Sequence, residues 1–404
     1  MKKVLKKLIV LCMCLFLCTG CNLKEIIQNL LANSSISSSQ PIGGSNEGCT
    51  VYSNLSVLVE QEGVTVLSES SDFDNIFEKA NKATFMSIAC YVVGGVRYER
   101  LSSGFVIKKE QLEGAYKYYL VTNASKLFYR GISDGVLTYS KTPEYVEVVF
   151  GDYRRYYAQV EGYNERLDVL VLSIVTKDEI PVFELGDSDD LLLGDTVYAM
   201  GTPEIGVALL NSVNKGFISK LNVESTIGFN NEVITTYNSH QFDAPTNLGM
   251  EGGPVFTEAG EVVGLLTYKL NGSDYESLSR FIPINDIKNC LEALVNDQEY
   301  ALPTLGVSVL DLYLGATLYD ITWPDSIGVY EGCYVDSVSA GSAAEKSGMT
   351  GDSVIVGAYI NDVYYPIKDS NYVLIILTRY NQGDTLKFEV QYKTEKKVHT
   401  LYGD

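Results

Sequence analysis

Three polar residues stand where their types could do chemistry: Glu251 in a glycine-rich loop, Asp168 before an apolar run, and Ser125 beside Lys126. Two carboxylates such as Glu251 and Asp168 can act as general acid and base in hydrolysis. A serine beside a lysine can be activated as a nucleophile. Nothing else in the chain indicates a sugar cleft, and adjacent residues on a strand face opposite ways, so both pairings are disfavoured. The chemistry therefore depends on the elements that position these residues.

The loop around Glu251 reads Asp-Ala-Pro-Thr-Asn-Leu-Gly-Met-Glu-Gly-Gly-Pro at 243–254. It resembles the active-site loop of trypsin-fold serine proteases of the HtrA (DegP) type, in which Gly-Asn-Ser-Gly-Gly-Pro carries the nucleophilic serine. The resemblance places Glu251 at the serine position and makes Gly249, Met250 and Glu251 a vestigial oxyanion loop. A carboxylate has no proton for a base to remove and attacks amides poorly. Glu251 is expected either to point to solvent or to accept hydrogen bonds from the loop amides.

The two other positions of the catalytic triad differ in what they retain. The family's histidine follows a Val-Thr-Asn-x-His strand, and here 121–125 reads Val-Thr-Asn-Ala-Ser, which places Ser125 at the histidine position. Asp168 opens an Asp-Val-Leu-Val-Leu run that resembles the family's aspartate strand. The chain has two histidines, His240 and His399, and neither matches a general-base position. Because a triad acts as a unit, its loss of nucleophile and base predicts little or no activity.

Further short motifs follow in family order between about residues 75 and 297. They are Ser-Ser-Gly-Phe-Val-Ile at 102–107, Leu-Gly-Asp-Ser-Asp at 185–189, Gly-Asp at 194–195, Met-Gly-Thr-Pro at 200–203, Gly-Phe-Ile-Ser at 216–219, Gly-Glu-Val-Val-Gly-Leu at 260–265 and Phe-Ile-Pro-Ile at 281–284. The resemblance implies a mainly β fold, a trypsin-like double β-barrel. Many short Val, Ile, Tyr and Phe runs between Gly, Asn and Asp agree with that fold class. Short helices are predicted at 72–81, 285–296 and 371–380.

The last hundred residues resemble a PDZ domain. Pro-Thr-Leu-Gly-Val at 303–307 is similar to the carboxylate-binding loop of HtrA-type PDZ domains, and Gly-Ser-Ala-Ala-Glu-Lys-Ser-Gly-Met at 341–349 and Gly-Asp-Ser-Val-Ile at 351–355 follow in PDZ order. The resemblance implies that the amides of Leu305, Gly306 and Val307 bind a peptide carboxylate. The helix at 370–380 would line the groove. The alternative is a groove that only packs on the protease domain.

The first twenty residues have the composition of an export signal. Four lysines at 2–7 precede a ten-residue apolar run, and Cys-Thr-Gly-Cys at 18–21 resembles a bacterial lipobox with Cys21 as acceptor. Two acyl chains on Cys21 would suffice for stable anchoring. The simpler alternative is an ordinary or uncleaved signal. A Ser- and Gly-rich tether follows, and the alternating segment 50–68 has no counterpart in the family.

Composition limits the partners. The net charge of −20 becomes about −24 when a leader with four lysines is removed, which disfavours nucleic-acid binding. Cys49, Cys90, Cys290 and Cys333 lack the spacing of a zinc site, so no metal or cofactor is expected. These cysteines form either one disulfide or buried free thiols.

The sequence therefore predicts a signal peptide at 1–20, a lipidated tether at 21–70, a degenerate protease domain at 71–297 and a PDZ domain at 302–404. The hypothesis is an HtrA-like pseudoprotease, lipid-anchored on the outer face of the cell membrane, that binds peptide C-termini or unfolded envelope proteins. The alternative is an active serine endopeptidase whose catalytic residues lie elsewhere. Its binding partner, oligomeric state and biological process stay open.

Overall fold

The structure, a computed structural model, describes residues 72–404 except 128, 134–135, 142, 230–231, 268–277, 320 and 404. The predicted signal peptide, the tether with Cys21, Cys49 and the segment 50–68 lie outside the described residues. No helix in the described part of the chain is long and apolar enough to cross a membrane.

The first half of the described chain forms a closed six-stranded barrel in the order β1-β2-β3-β8-β7-β6. Its elements are helix α1 (Asp72–Ala83), β1 (Thr84–Val93), β2 (Val96–Leu112), β3 (Ala115–Thr122), helix α2 (Ala124–Leu127), β6 (Tyr145–Phe150), β7 (Arg155–Asn164) and β8 (Val169–Thr176). Strands β4 (Tyr129–Ser133) and β5 (Val136–Lys141) pair separately as a hairpin. Val146 and Val148 on β6 are buried while Tyr145 and Glu147 are half-buried, the two-residue period expected of a barrel wall.

A second closed barrel follows, in the order β10-β11-β14-β13-β12-β9. Its strands are β9 (Thr196–Gly201), β10 (Ser212–Phe229), β11 (Glu232–Phe242), β12 (Pro254–Phe256), β13 (Val262–Leu266) and β14 (Ser279–Pro283). Short 3-10 turns lie at Ser188–Asp190 and Val207–Leu209. Phe105 and Val121 of the first barrel share one buried cluster with Tyr198 and Leu265 of the second. The two barrels are therefore joined by one core, while Ala244 and Met250 of the loop between β11 and β12 are buried in a separate cluster of the second barrel.

Helix α3 (Ile284–Val295) closes the barrel domain. Ile284, Ile287, Leu291 and Leu294 are buried and recur at helical spacing, so one apolar face of α3 packs into the core that the barrels share. The polar side of α3 is left to contact the C-terminal domain.

The C-terminal domain is built on the sheet β15-β16-β17-β19-β20, with β18 paired to β17. Its elements are β15 (Val307–Asp311), α4 (Leu312–Tyr319), α5 (Trp323–Ser326), β16 (Cys333–Val338), α6 (Ala343–Lys346), β17 (Ser353–Ile360), β18 (Val363–Pro366), α7 (Ser370–Arg379), β19 (Leu386–Gln391) and β20 (Lys396–Tyr402). Leu305 and three residues of α7, Val373, Ile376 and Leu377, belong to the core of this domain.

The predicted fold class, mainly β with two barrels and a smaller β domain, is confirmed. The three predicted helices occur as α1, α3 and α7. Cys90, Cys290 and Cys333 are buried free thiols, and burial raises the pKa of the Cys290 thiol to about 12. Such a thiol stays protonated at neutral pH and is therefore inert.

Candidate active site and peptide groove

The folded chain brings Ser125 and Asp168 to one edge of the first barrel. Strands β3 and β8 pair antiparallel with Thr122 opposite Leu170, so the residue after β3 and the residue before β8 lie side by side. Asp168 has a left-handed backbone (φ 55°), a conformation that aspartate tolerates better than most residues. This turn holds its carboxylate against the start of α2.

Asp168 binds Ser125 through both carboxylate oxygens. The Ser125 amide donates to Oδ1 at 2.6 Å, and the Ser125 hydroxyl donates to Oδ2 at 3.0 Å. The Asn123 side chain and the Ala124 amide both donate to the Asp168 carbonyl, each at 3.2 Å. Asp168 is thus held by several hydrogen bonds, and the side chain that its carboxylate binds is a hydroxyl, where the family has an imidazole.

Glu251 is turned inward. It is 2% exposed, and its Oε2 accepts a hydrogen bond from the Gly249 amide at 2.6 Å. Its Oε1 lies 3.1 Å from Nζ of Lys126, an ion pair between two largely buried side chains. Of the two orientations expected for Glu251, the structure has the one in which the carboxylate binds a loop amide.

Glycines allow the backbone conformation of the loop at 249–253. Gly249 and Gly252 have left-handed φ values of 95° and 85°, and a Cβ on Gly249 would lie 2.6 Å from the Thr202 carbonyl oxygen. The Gly252 amide donates to the Leu266 carbonyl at 2.7 Å, and the Ser103 amide donates to the Glu251 carbonyl at 2.8 Å. The loop is therefore fixed to both barrels by its backbone.

Lys126 is the residue of this site that the sequence analysis misplaced. The expectation that Ser125 and Lys126 lie on a strand is wrong, because both residues lie in the helical turn α2. The turn gives the two neighbours different partners, since Ser125 binds Asp168 and Lys126 binds Glu251. A cation next to the histidine position was the available signal.

The two histidines have other partners. His240 is buried, stacks edge-on against Phe281 and accepts a hydrogen bond from the Asn222 amide at 3.3 Å. His399 lies in the C-terminal domain and contacts Tyr392 and the Ser347 carbonyl. Within the described residues, no cluster of His, Cys, Asp and Glu side chains could hold a metal ion.

The loop at 304–306, before β15, differs from the Gly249 loop because its amides are not bonded to a carboxylate of the chain. The carbonyls of Thr304, Leu305 and Gly306 accept from the Tyr402 hydroxyl, the Ala344 amide and the Ser339 amide at 2.6, 3.1 and 2.7 Å. The amides of Leu305 and Gly306 donate to no acceptor within the described part of the chain. An open cleft of about 450 Å³ adjoins Gly306.

Strand β15 ends the sheet on its side, which leaves one edge without a partner strand in the described structure. Val307, the third residue predicted to bind a carboxylate, begins this strand opposite Val338. The Asp311 carboxylate at the far end of β15 accepts from the amide and hydroxyl of Ser370, at 2.8 and 2.6 Å, which ties the strand to α7. The strand is thus held beside the helix, whereas the open cleft that adjoins Gly306 is lined by residues of α6 and β20.

Comparison with known proteins agrees with this architecture. Residues 102–265 match the family model described as a trypsin-like peptidase domain. The serine protease Do-like HtrA of Bacillus subtilis (strain 168) is 29% identical over 310 residues, which cover 73% of this chain and 64% of that protein. The serine protease Do-like HtrA of Lactococcus lactis subsp. lactis (strain IL1403) is 28% identical over 338 residues, covering 82% and 76%. The chain thus spans somewhat less than two thirds of the Bacillus relative.

A solved structure of the HtrA-type protease AlgW with tripeptide superposes with a TM-score of 0.58 at 22% identity, covering 81% of this chain and 95% of that one. At this identity the likeness establishes the fold. The match to the trypsin-like peptidase model and the HtrA relatives support an HtrA/DegP-like family for this chain, in agreement with the resemblance of its loop at 243–254.

Proposed function

We propose that this chain is a catalytically silent HtrA-like protein that binds peptide C-termini or unfolded proteins through its PDZ domain. The observation that carries the proposal is the Glu251 carboxylate, buried and bonded to the Gly249 amide. The two domains then differ in role, since the barrels provide a scaffold and the C-terminal domain provides recognition.

Loss of acyl transfer follows from two features of the barrel site. Glu251 offers no hydroxyl to attack a carbonyl, and Ser125 offers no base. The Gly249 amide, which the family resemblance assigns to stabilising an oxyanion, already binds a negative charge. A substrate carbonyl would have to displace an internal carboxylate that Lys126 also holds.

Peptide recognition is supported by the loop at Leu305 and Gly306. Two amides without acceptors beside an open strand edge suit an added strand that ends in a carboxylate. Val373, Ile376 and Leu377 on the helix side are buried in the core of the same domain, so the support rests on the amides and the strand edge. We expect modest affinity, about micromolar or −8 kcal/mol, because the peptide must lose its conformational freedom.

Location is a separate part of the proposal. The lysine-rich start, the short apolar run and the cysteine at 21 support export and lipid anchoring on the outer face of the membrane. Cys21→Ala should release the protein from the membrane fraction or leave the precursor uncleaved. Cys49→Ala is the matched control and should change neither. An unchanged membrane partition and mature size in Cys21→Ala would refute lipidation.

An active endopeptidase is the competing function, favoured by the similarity of this chain to relatives that are named serine proteases. Purified protein incubated with casein and with a fluorophosphonate probe, beside an active relative as positive control, separates the two. The silent protein should neither degrade casein nor take up the probe. Stoichiometric labelling of any serine would establish the endopeptidase instead.

A further inference from the structure

Helix α7 is shared between the two domains. Its Asn371 donates to the Asn238 side chain of β11 at 2.7 Å, and Tyr300 and Asn289 donate to the carbonyl of Thr378 at 2.9 and 3.4 Å. Asn371 and Thr378 are 4% and 6% exposed. The face of α7 that looks away from the PDZ core is thus docked on the barrels along a polar seam.

Three charges lie together in this seam. The Arg379 guanidinium makes two hydrogen bonds to Asp189, at 2.6 and 2.7 Å, and a longer one to Asp286 at 3.4 Å. Asp286 is 2% exposed and accepts a further hydrogen bond from Asn238 at 2.6 Å, whereas about half of the Asp189 side chain is exposed. Arg379 comes from the C-terminal domain, and both carboxylates come from the barrel domain.

Asp189 and Asp286 therefore share the Arg379 guanidinium. Asp286 has only the single longer hydrogen bond to it, and Asp286 is the more deeply buried of the two carboxylates. Burying an ionised carboxylate costs free energy when its lost hydration is not fully replaced by hydrogen bonds and opposite charge. Protonation of the carboxylate removes that cost. We propose that docking of the PDZ domain is coupled to proton uptake at Asp286, so that the seam is tighter in mildly acidic than in neutral solution. This inference does not depend on peptide binding.

The electrostatics of Asp286 agree with this geometry. Burial raises the pKa of its carboxyl from 3.8 to about 6, although Arg379 and Asn238 act in the opposite direction. A group whose pKa is raised in the docked state stabilises that state below its undocked pKa, and the contribution is lost as the pH rises through the docked pKa. The proton on Asp286 thus favours docking at pH values below about 6 and is lost at neutral pH.

Other titratable groups face the same point. They are Arg379 on α7, Asp189 in the 3-10 turn, His240 and Tyr237 on β11, Arg166 before β8 and Tyr300 after α3. Burial lowers the pKa of His240, and the Arg379 charge lowers it further. His240 contacts Phe281 and the Asn222 amide within the barrel domain and is present in wild type and in Asp286→Asn alike, so the comparison of these two proteins isolates Asp286.

Hydrogen exchange of the α7 amides in the full chain, corrected for intrinsic rates, measures docking. Asp286→Asn removes the ionisable group and leaves an amide oxygen for Asn238. At pH 7.5 this variant should protect α7 at least about tenfold more than wild type, and at pH 5.0 the two should converge. Strand β3 in the first barrel is the internal reference and should not respond.

Asp189→Asn is a second variant at the exposed rim, useful even if Asp286→Asn fails to fold. It leaves Arg379 to Asp286 alone, so α7 protection should lose most of its wild-type dependence on pH between 5.0 and 7.5. Weaker α7 protection in Asp286→Asn than in wild type at pH 7.5 would overturn the proposal. An equal ratio of the two at both pH values, or an unaltered pH response in Asp189→Asn, would overturn it as well.

Discussion

The loops at Gly249 and Gly306 use the same backbone device and end in opposite states. Each places a glycine in the left-handed region, at φ 95° and 75°, next to amides that suit a negative charge. The Gly249 amide binds the chain's own Glu251 at 2.6 Å. The Leu305 and Gly306 amides bind no acceptor in the described structure. In the Gly249 loop the chain itself supplies the anion, and in the Gly306 loop it does not.

The largest expected effect, on peptide hydrolysis, comes from placing the family's residues at positions 125 and 251. A chain with Ser125→His and Glu251→Ser regains a nucleophile, a base and the free Gly249 amide, while Asp168 is already placed to orient the imidazole. Peptide hydrolysis should rise by about 10³-fold over Glu251→Ser alone, which lacks a base. Fluorophosphonate labelling checks the nucleophile. Equal activity in the single and double variants would contradict this account of the site.

The next effect concerns the ion pair that holds the internal carboxylate. Lys126→Met leaves Glu251 buried with one amide partner, and the free energy of unfolding should fall by roughly 3 kcal/mol. Urea denaturation measures it. Lys82→Met, which breaks the exposed pair with Glu78, is the matched control and should change little. If both variants unfold at the wild-type urea midpoint, Lys126 does not stabilise the loop that carries Glu251.

The amides of Leu305 and Gly306 should bind the C-terminal carboxylate of a peptide. Peptides with a free apolar C-terminal residue should bind the full chain, and amidating that terminus should weaken binding about tenfold to a hundredfold because the amides lose a charged acceptor. Calorimetry with the peptide pair checks this without altering the protein. Hits that are indifferent to amidation would reduce the domain to a packing module.

The smallest effect belongs to Ser125. Ser125→Ala removes the hydroxyl bond to Asp168 but keeps the amide bond at 2.6 Å, so the free energy of unfolding should fall by about 1 kcal/mol or less. Thermal denaturation beside wild type measures the difference. A loss as large as that of Lys126→Met would mean that Ser125, and not the ion pair, organises the site.

Sequence reasoning located much of this molecule because local patterns encode it. Apolar alternation and glycine spacing predict strands and loops, and the three triad positions follow from the resemblance of short motifs to those of HtrA-type proteases. The partner of Glu251 was missed because the strand β3 ends at Thr122, so that α2 turns Lys126 toward the loop. No local pattern marks the seam, since Arg379 meets carboxylates 93 and 190 positions earlier in the chain.

Helix α7 has a consequence for how the protein unfolds. Its Val373, Ile376 and Leu377 complete the PDZ core, while Asn371 and Thr378 are buried against the barrels. Losing either domain would expose a face of the same helix, so neither can melt without weakening the other. We therefore expect one cooperative calorimetric transition for residues 72–404, where two independent domains joined by a linker would give two.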